Sequence, residues 1–161
     1  MDASQLRPMV ALPGDPGQGV CIDELSDRIR VDIAYGGSCT AGKASDMDMY
    51  ARVFADGLRR GRKVHPEVQC YIQFGSQAVK SYCIEQQYIE LFQQAGAILV
   101  EPGCGACINA GPGASSRPEQ VTISAQNRNF PGRSGPGKVY LASPLTVAAS
   151  AIEGYICEFH G

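Results

Sequence analysis

Three cysteines beside glycines are the residues of this chain whose types and spacing best suit chemistry. Cys104 and Cys107 form a Cys-X-X-Cys pair in the stretch 103–107 (GCGAC), and Cys39 stands apart in the stretch 37–40 (GSCT). Thiolates two residues apart can project to the same side of a tight turn. With a third thiolate from a remote turn, they would hold a metal or cluster and leave one coordination position open to substrate.

A Cys-X-X-Cys pair alone also fits a zinc knuckle or a redox dithiol. A closed structural zinc site takes four ligands, and the sequence has no second Cys-X-X-Cys pair to supply them. A dithiol leaves Cys39 unexplained. Three thiolates fit an iron–sulfur cluster with one iron open to water or substrate. The other cysteines are interpreted as small buried hydrophobes: Cys21, Cys70, Cys83 and Cys157.

A second polar group occupies the stretch 127–133 (NRNFPGR). Arginines and asparagines around a glycine turn offer forked donors for carboxylates, which lysine would not replace equally. The alternative interpretation of this stretch is a solvated surface loop. The presence of this stretch in the same chain as the cysteine motifs favours a binding role.

Composition limits the classes of function. The chain has 161 residues, 44% hydrophobic and 19% charged, which predicts one globular domain. A net charge of −2 makes nucleic-acid binding an unfavoured interpretation, and the basic run 59–63 is expected to solvate the end of a helix. No basic start precedes an apolar run, no segment approaches the roughly 20 apolar residues of a membrane span, and the cysteines are odd in number. A cytoplasmic protein without membrane attachment is expected.

Periodicity and turn residues predict an alternation of strands and helices. The first 28 residues, rich in proline and glycine, predict an extended arm before a domain at 29–161. Strands are predicted at 29–35, 68–74, 97–100, 121–124 and 139–142. Helices are predicted from Ser45 to Gly61, as one long helix from Val79 to a Gly96 cap, and from Pro144 to Glu153.

This alternation predicts an α/β fold, a three-layer α/β/α arrangement around a mostly parallel sheet. Cys39 and Cys104 each follow the carboxyl end of a predicted strand, and the stretch 127–133 follows another. Ligands of such sheets gather outside the carboxyl ends of the strands. The topology is therefore expected to bring the cysteines to one edge.

Four ordered motifs resemble the aconitase and isopropylmalate dehydratase superfamily. They are the stretches 37–40, 103–107 and 127–133, followed by 142–144 (ASP) together with 148–154 (AASAIEG). The chain resembles only the cluster-binding third α/β/α domain of that family. The resemblance implies a [4Fe–4S] cluster held by Cys39, Cys104 and Cys107. It also implies contacts to the cluster or to substrate carboxylates from Asn127, Arg128 and Arg133.

The resemblance implies reversible dehydration and hydration of a hydroxy polycarboxylic acid, such as citrate, isocitrate or isopropylmalate. The family's catalytic serine base lies in a mobile swivel domain that is not found here. The chain is therefore expected to be inactive alone, as a fragment or split subunit completed by remaining family domains or a swivel-domain subunit. Ala41 and Phe74 replace an asparagine and a proline common in the family, which leaves the particular acid open.

Two other functions stay open at this point. One is a non-enzymatic iron–sulfur or iron-sensing module. The other is RNA binding, which the acidic balance disfavours. Neither His65 nor His160 is placed like a family active-site histidine, and both are expected at the surface.

Overall fold

A computed structural model describes residues 6–161, so that residues 1–5 of the predicted arm lie outside the described residues. The fold is built on a seven-stranded sheet with the order β2-β1-β7-β6-β3-β4-β5. The strands are β1 (Met9–Ala11), β2 (Gly19–Cys21), β3 (Ile33–Gly37), β4 (Gln69–Gln73), β5 (Ile98–Val100), β6 (Val121–Ser124) and β7 (Lys138–Ala142).

Five strands run parallel, and this fixes where the chemistry-bearing loops lie. Neighbouring pairs β7–β6, β6–β3, β3–β4 and β4–β5 are all parallel, whereas β1 is antiparallel to both β7 and β2. The turns after β3, β5 and β6 therefore open at one edge of the sheet, which we call the carboxyl edge. Cys39, the Cys-X-X-Cys pair and the stretch 127–133 all follow these strand ends.

The longer helices pack on one face of the sheet. The helices are α1 (Ser38–Ala41), α2 (Ala44–Arg59), α3 (Gln77–Glu85), α4 (Tyr88–Ala95) and α5 (Pro144–Glu153). Buried side chains of α2, α4 and α5 join those of β3, β4 and β6 in the main core, including Phe54, Phe92, Val147, Ile72 and Ile123. No helix within residues 6–161 is long and apolar enough to cross a membrane.

The opposite face of the sheet carries a smaller cluster under a thinner layer. Ile33, Tyr35 and Tyr71 lie there, because side chains alternate across a strand, and Ala106 covers them from a short 3-10 helix at Ala106–Ile108. The predicted class, an α/β fold with a mostly parallel sheet between two outer layers, is confirmed. The second outer layer consists of a loop segment with one helical turn.

Two local features differ from the sequence-based expectation. Residues 9–21 of the predicted extended arm form a hairpin that extends the sheet, with Val10 paired to Ala142 and only 1% exposed. The single helix predicted from Val79 to Gly96 is two helices, because Gln87 adopts a left-handed conformation with φ of 61°. Gly96 ends α4 with φ of 94°, as predicted. The division of the chain at residue 28 stays a prediction.

A buried thiol makes the fold sensitive to alkaline pH. Cys70 lies in β4 within the main core, and burial raises the pKa of its thiol from 9.0 to about 12. Above about pH 9 the unfolded chain releases a proton that the folded chain retains, so the stabilisation is complete below that pH and is lost as the pH rises. We expect the free energy of unfolding to fall by about 1.4 kcal/mol per pH unit from this group.

Urea unfolding at several pH values between about 8 and 11 measures this slope. Cys70→Ala should make the slope shallower. Val53→Ala removes apolar volume from the same core without removing a titrating group, and should lower the stability equally at every pH. Equal slopes for the two variants would contradict the assignment.

Candidate metal centre

The turn that carries Cys39 is shaped by close contact with the neighbouring strand. β3 ends at Gly37, whose φ is 99°, and Ser38 follows with φ of 72°. A Cβ atom on Gly37 would lie 1.9 Å from the carbonyl oxygen of Gln73 at the end of β4. Only glycine allows this approach. The turn therefore packs against β4 and leaves Cys39 exposed beyond the carboxyl edge.

A buried tyrosine of α2 holds the same turn from below. The Tyr50 hydroxyl accepts the backbone N–H of Gly37 at 2.9 Å and donates to the carbonyl of Ala41 at 3.2 Å, so it closes both ends of the Cys39 turn. Tyr50 is fully buried, and burial raises the pKa of its phenol far above the ordinary value. The neutral hydroxyl is thus maintained as donor and acceptor at all ordinary pH values.

Tyr50→Phe should destabilise the chain by about 2 kcal/mol, because it leaves a buried N–H and a carbonyl without partners. Denaturant unfolding measures the loss. Tyr82→Phe is the matched control, since the Tyr82 hydroxyl donates to Asp48 at the surface, where water can replace the bond. An equal, small loss for both variants would show that Tyr50 does not support the turn.

The Cys104–Cys107 loop lies over the small cluster on the second face of the sheet. Ala106 is buried, Cys104 is exposed and Cys107 is half-buried. A Cβ on Gly105 would lie 3.1 Å from the Tyr35 hydroxyl. Burial raises the pKa of Tyr35 to about 12, and the charge of Cys107 adds to that rise. The Cys-X-X-Cys loop thus rests on the strand that leads to Cys39.

The three thiols are brought to one edge but not around a single point. Within residues 6–161, the one group of histidine, cysteine or acidic side chains with ligand atoms mutually within 4.8 Å is Cys21 with Asp23 and Glu24. Thiolates that hold a cluster bind different iron atoms and need not meet as the ligands of one ion do. The spread of Cys39, Cys104 and Cys107 therefore suits a cluster better than a lone ion.

The Cys21 group has a simpler explanation than a metal. The Arg7 guanidinium pairs with Asp23 at 2.8 Å and with Glu24 at 2.6 Å. Both carboxylates are therefore already neutralised at an exposed site. Cys21 itself is half-buried, in partial agreement with its interpretation as a buried hydrophobe.

The remaining cysteines are protected from reaction. Cys70 and Cys83 are buried and Cys157 is half-buried. Burial raises the pKa of the Cys83 and Cys157 thiols to about 11. These groups stay protonated near neutral pH, so that they are poor metal ligands.

The stretch 127–133 divides into supporting and available side chains. Asn129 is buried, and its amide donates to the carbonyls of Leu12 at 2.7 Å and Val139 at 2.9 Å. It therefore fastens the loop to the hairpin and to β7. Asn127 and Arg128 are exposed, and Arg133 is half-buried with its Nε unpaired.

Buried polar side-chain atoms without a hydrogen-bond partner are concentrated in and next to the stretch 127–133. Of the buried side-chain polar atoms without a partner within residues 6–161, three belong to Gln126, Asn129 and Arg133, and the other belongs to Thr122. Such atoms are rare in folded proteins and call for a partner.

Helix dipoles make the same edge attractive to anions. α2, α3 and α5 all begin just beyond strand carboxyl ends, and the hydroxyls of Ser76 and Ser143 cap α3 and α5. The partial positive charge at a helix N-terminus favours carboxylates and thiolates nearby. The field at this edge thus suits an anionic cluster and an acidic ligand.

The histidines and the basic run lie away from this edge. His65 precedes the amino end of β4, and His160 lies in the C-terminal tail beside Glu158. In the run 59–63, Arg59 and Arg60 pair with Asp56, and Arg62 pairs with Glu153. The run therefore lies at the end of α2, as predicted, and Arg62 also links it to α5.

Sequence reasoning missed three side chains that shape the centre. Tyr50 lies within the helix predicted from Ser45, and Tyr35 and Gln73 lie within predicted strands, where periodicity alone assigns them no further role. The available signal was Gln73, a polar residue in the otherwise apolar run Cys70–Phe74 that is only 1% exposed in the structure.

A mostly parallel sheet between two outer layers, with three cysteines on the turns after β3 and β5, is the architecture of an aconitase-type α/β domain. The sequence matches the family model of the aconitase family (aconitate hydratase) over residues 1–154, and the chain belongs to that family.

Three relatives that cover nearly all of this chain share one description. The 3-isopropylmalate dehydratase large subunit of Aquifex aeolicus is 41% identical over 159 residues, which are 98% of this chain and 36% of the relative. The proteins of the same description from Caldanaerobacter subterraneus and Thermoanaerobacter sp. are each 39% identical over 158 residues, 97% of this chain and 36% of the relative. The chain thus spans about a third of the length of these relatives.

Proposed function

We propose that this chain is the [4Fe–4S]-binding part of an aconitase-like hydro-lyase. The observation that carries the proposal is the placement of Cys39 after β3 and of Cys104 and Cys107 after β5, at one edge of a parallel sheet. Membership of the aconitase family supports it. The reaction would be the reversible dehydration and hydration of a hydroxy polycarboxylic acid.

The donor set fits such a cluster. Three cysteines at accessible turns supply thiolates, whereas the cysteines of the core have raised pKa values and are unsuited to the task. Helix N-termini at the edge stabilise negative charge. Three protein ligands leave one iron without a protein ligand, which is the arrangement that allows substrate binding.

When bound, the cluster would supply a Lewis acid that polarises the substrate hydroxyl. Arg128 and Arg133 would bind the substrate carboxylates through their forked N–H groups, and Asn127 would donate to the cluster or to the substrate. The exposed turn of Cys39 would form one wall of the site. The base that removes the carbon-bound proton would be the serine that the family resemblance places in a swivel domain or subunit.

The site would therefore be completed by other family domains or by a partner subunit. The relatives are named large subunits and are nearly three times as long as the matched segment. The exposed turns that bear Cys39 and Cys104 would contact those elements or the substrate. We expect the 161-residue chain alone to bind a cluster without turning over substrate, and to work in the cytoplasm.

Anaerobic reconstitution with iron and sulfide tests the proposal. The expected result is equal uptake of iron and sulfide, with broad visible absorption that bleaches in air. Citrate or isopropylmalate should then change the electron paramagnetic resonance spectrum of the reduced cluster. Absence of a cluster would contradict the proposal, and a cluster indifferent to both acids would favour a non-enzymatic iron–sulfur or iron-sensing module.

A further inference from the structure

We propose that the buried amide of Gln73, together with the hydroxyl of Tyr35, positions the Cys104–Cys107 loop against the strand that leads to Cys39. This inference rests on the proposed function. It assigns Gln73 and Tyr35 as positioning residues rather than catalytic ones, because they act through the loop that carries the two cysteines.

Gln73 makes three hydrogen bonds that join two strands to the loop. Its Oε1 accepts the Tyr35 hydroxyl of β3 at 2.8 Å. Its Nε2 donates to the carbonyl of Glu101 at 3.1 Å and to that of Gly103 at 2.9 Å, immediately before Cys104. One buried amide thus fixes the point at which the chain leaves β5 and turns towards the first cysteine of the pair.

Tyr35 completes the connection between the two cysteines. Its hydroxyl donates to Gln73 and lies against Gly105, where an added Cβ would come within 3.1 Å of it. A Cβ on Gly113 would lie 2.3 Å from the Tyr35 ring, so the later part of the loop packs directly on it. The loop is therefore held on both sides of the Cys-X-X-Cys pair by the same two side chains.

Burying a polar pair inside a sheet costs desolvation free energy, and apolar side chains would cover the second face without that cost. Ile33 and Tyr71 flank the pair within the same buried cluster. Gln73 and Tyr35 satisfy each other, and Gln73 also satisfies two carbonyls of the loop, so the pair specifies one loop position where apolar contacts would tolerate several. Hydrogen-bonded supports of this kind orient ligands and tune the affinity of metal sites.

Two variants of the full chain remove these bonds while preserving volume: Gln73→Met and Tyr35→Phe. Thr122→Val is the matched control, because Thr122 is equally buried on β6 and its Oγ1 has no partner. The first readout is amide hydrogen exchange at residues 104–108 in the cluster-free chain. The second is the rate at which the reconstituted cluster is lost to a chelator, together with its visible circular dichroism.

Both variants should speed amide exchange within residues 104–108, alter the cluster's circular dichroism and accelerate cluster loss about tenfold. Thr122→Val should match the wild type in all three. Cluster loss and dichroism unchanged in both variants would overturn the inference while leaving cluster binding intact. If the wild type takes up no cluster, the proposed function fails, and unchanged amide exchange within residues 104–108 would then overturn the inference separately.

Discussion

Replacing Cys39, Cys104 or Cys107 with serine should reduce cluster uptake at least about tenfold, and each single replacement should suffice. Serine is a poor ligand for iron in a cluster, and three thiolates leave no spare protein ligand. Cys39 and Cys104 are exposed, so serine should alter the free energy of unfolding by less than about 0.5 kcal/mol. The loss would therefore report ligation rather than unfolding. Iron and sulfide counts after anaerobic reconstitution measure it.

Cys21→Ser is the control for this experiment. Cys21 is also accessible in part and lies beside two carboxylates, but Arg7 already pairs with both. The Cys21 variant should take up as much iron and sulfide as the wild type. A cluster that survives in Cys39→Ser and is lost in Cys21→Ser would place the metal at the hairpin and contradict the assignment.

Gly37→Ala should destabilise the chain by about 4 kcal/mol. About half of this cost comes from forcing a side chain into the backbone conformation of Gly37, where φ is 99°. The rest comes from overpacking, because the new Cβ would fall 1.9 Å from the Gln73 carbonyl oxygen, and backbone cannot move aside as a flexible side chain can. Urea unfolding measures the loss, and cluster uptake should fall with it.

Gly61→Ala separates these two contributions. Gly61 also has a positive φ, of 71°, but a Cβ there would meet no atom within 4 Å. The variant should lose only about 1 kcal/mol and reconstitute normally. Equal losses at Gly37 and Gly61 would mean that the contact between the Cys39 turn and β4 contributes nothing.

Much of the fold follows from local pattern. Strand signals before Cys39 and Cys104 placed both motifs at strand ends, because alternation and β-branched residues report a half-buried strand within a few neighbours. The hairpin at 9–21 was missed, since proline and glycine dominate its composition and its pairing with β7 is a contact over more than a hundred residues. The break at Gln87 was missed because glutamine seldom adopts a left-handed conformation.

The centre was predicted less completely than the sheet. The cysteine motifs and the stretch 127–133 could be recognised from residue type and spacing. The sequence did not show that Asn129, within that stretch, is a supporting residue whose side-chain amide donates to the backbone carbonyls of Leu12 and Val139. Gln73 illustrates the general difficulty. Its role depends on three partners in two separate segments, one before it and one after it in the chain, and no short window of sequence around it contains them.

The segment that bears Cys104 and Cys107 is also the cover of the second face of the sheet, through Ala106 and Gly113. Folding of this half of the domain and binding of the proposed cluster are therefore thermodynamically coupled, because each stabilises the conformation that the other requires. A bound cluster would stabilise the loop that keeps the Tyr35 and Tyr71 rings away from solvent. Conversely, oxidative loss of iron would destabilise this loop and expose the two aromatic rings beneath it. Damage to the cofactor would therefore make the polypeptide itself more prone to aggregation or proteolysis.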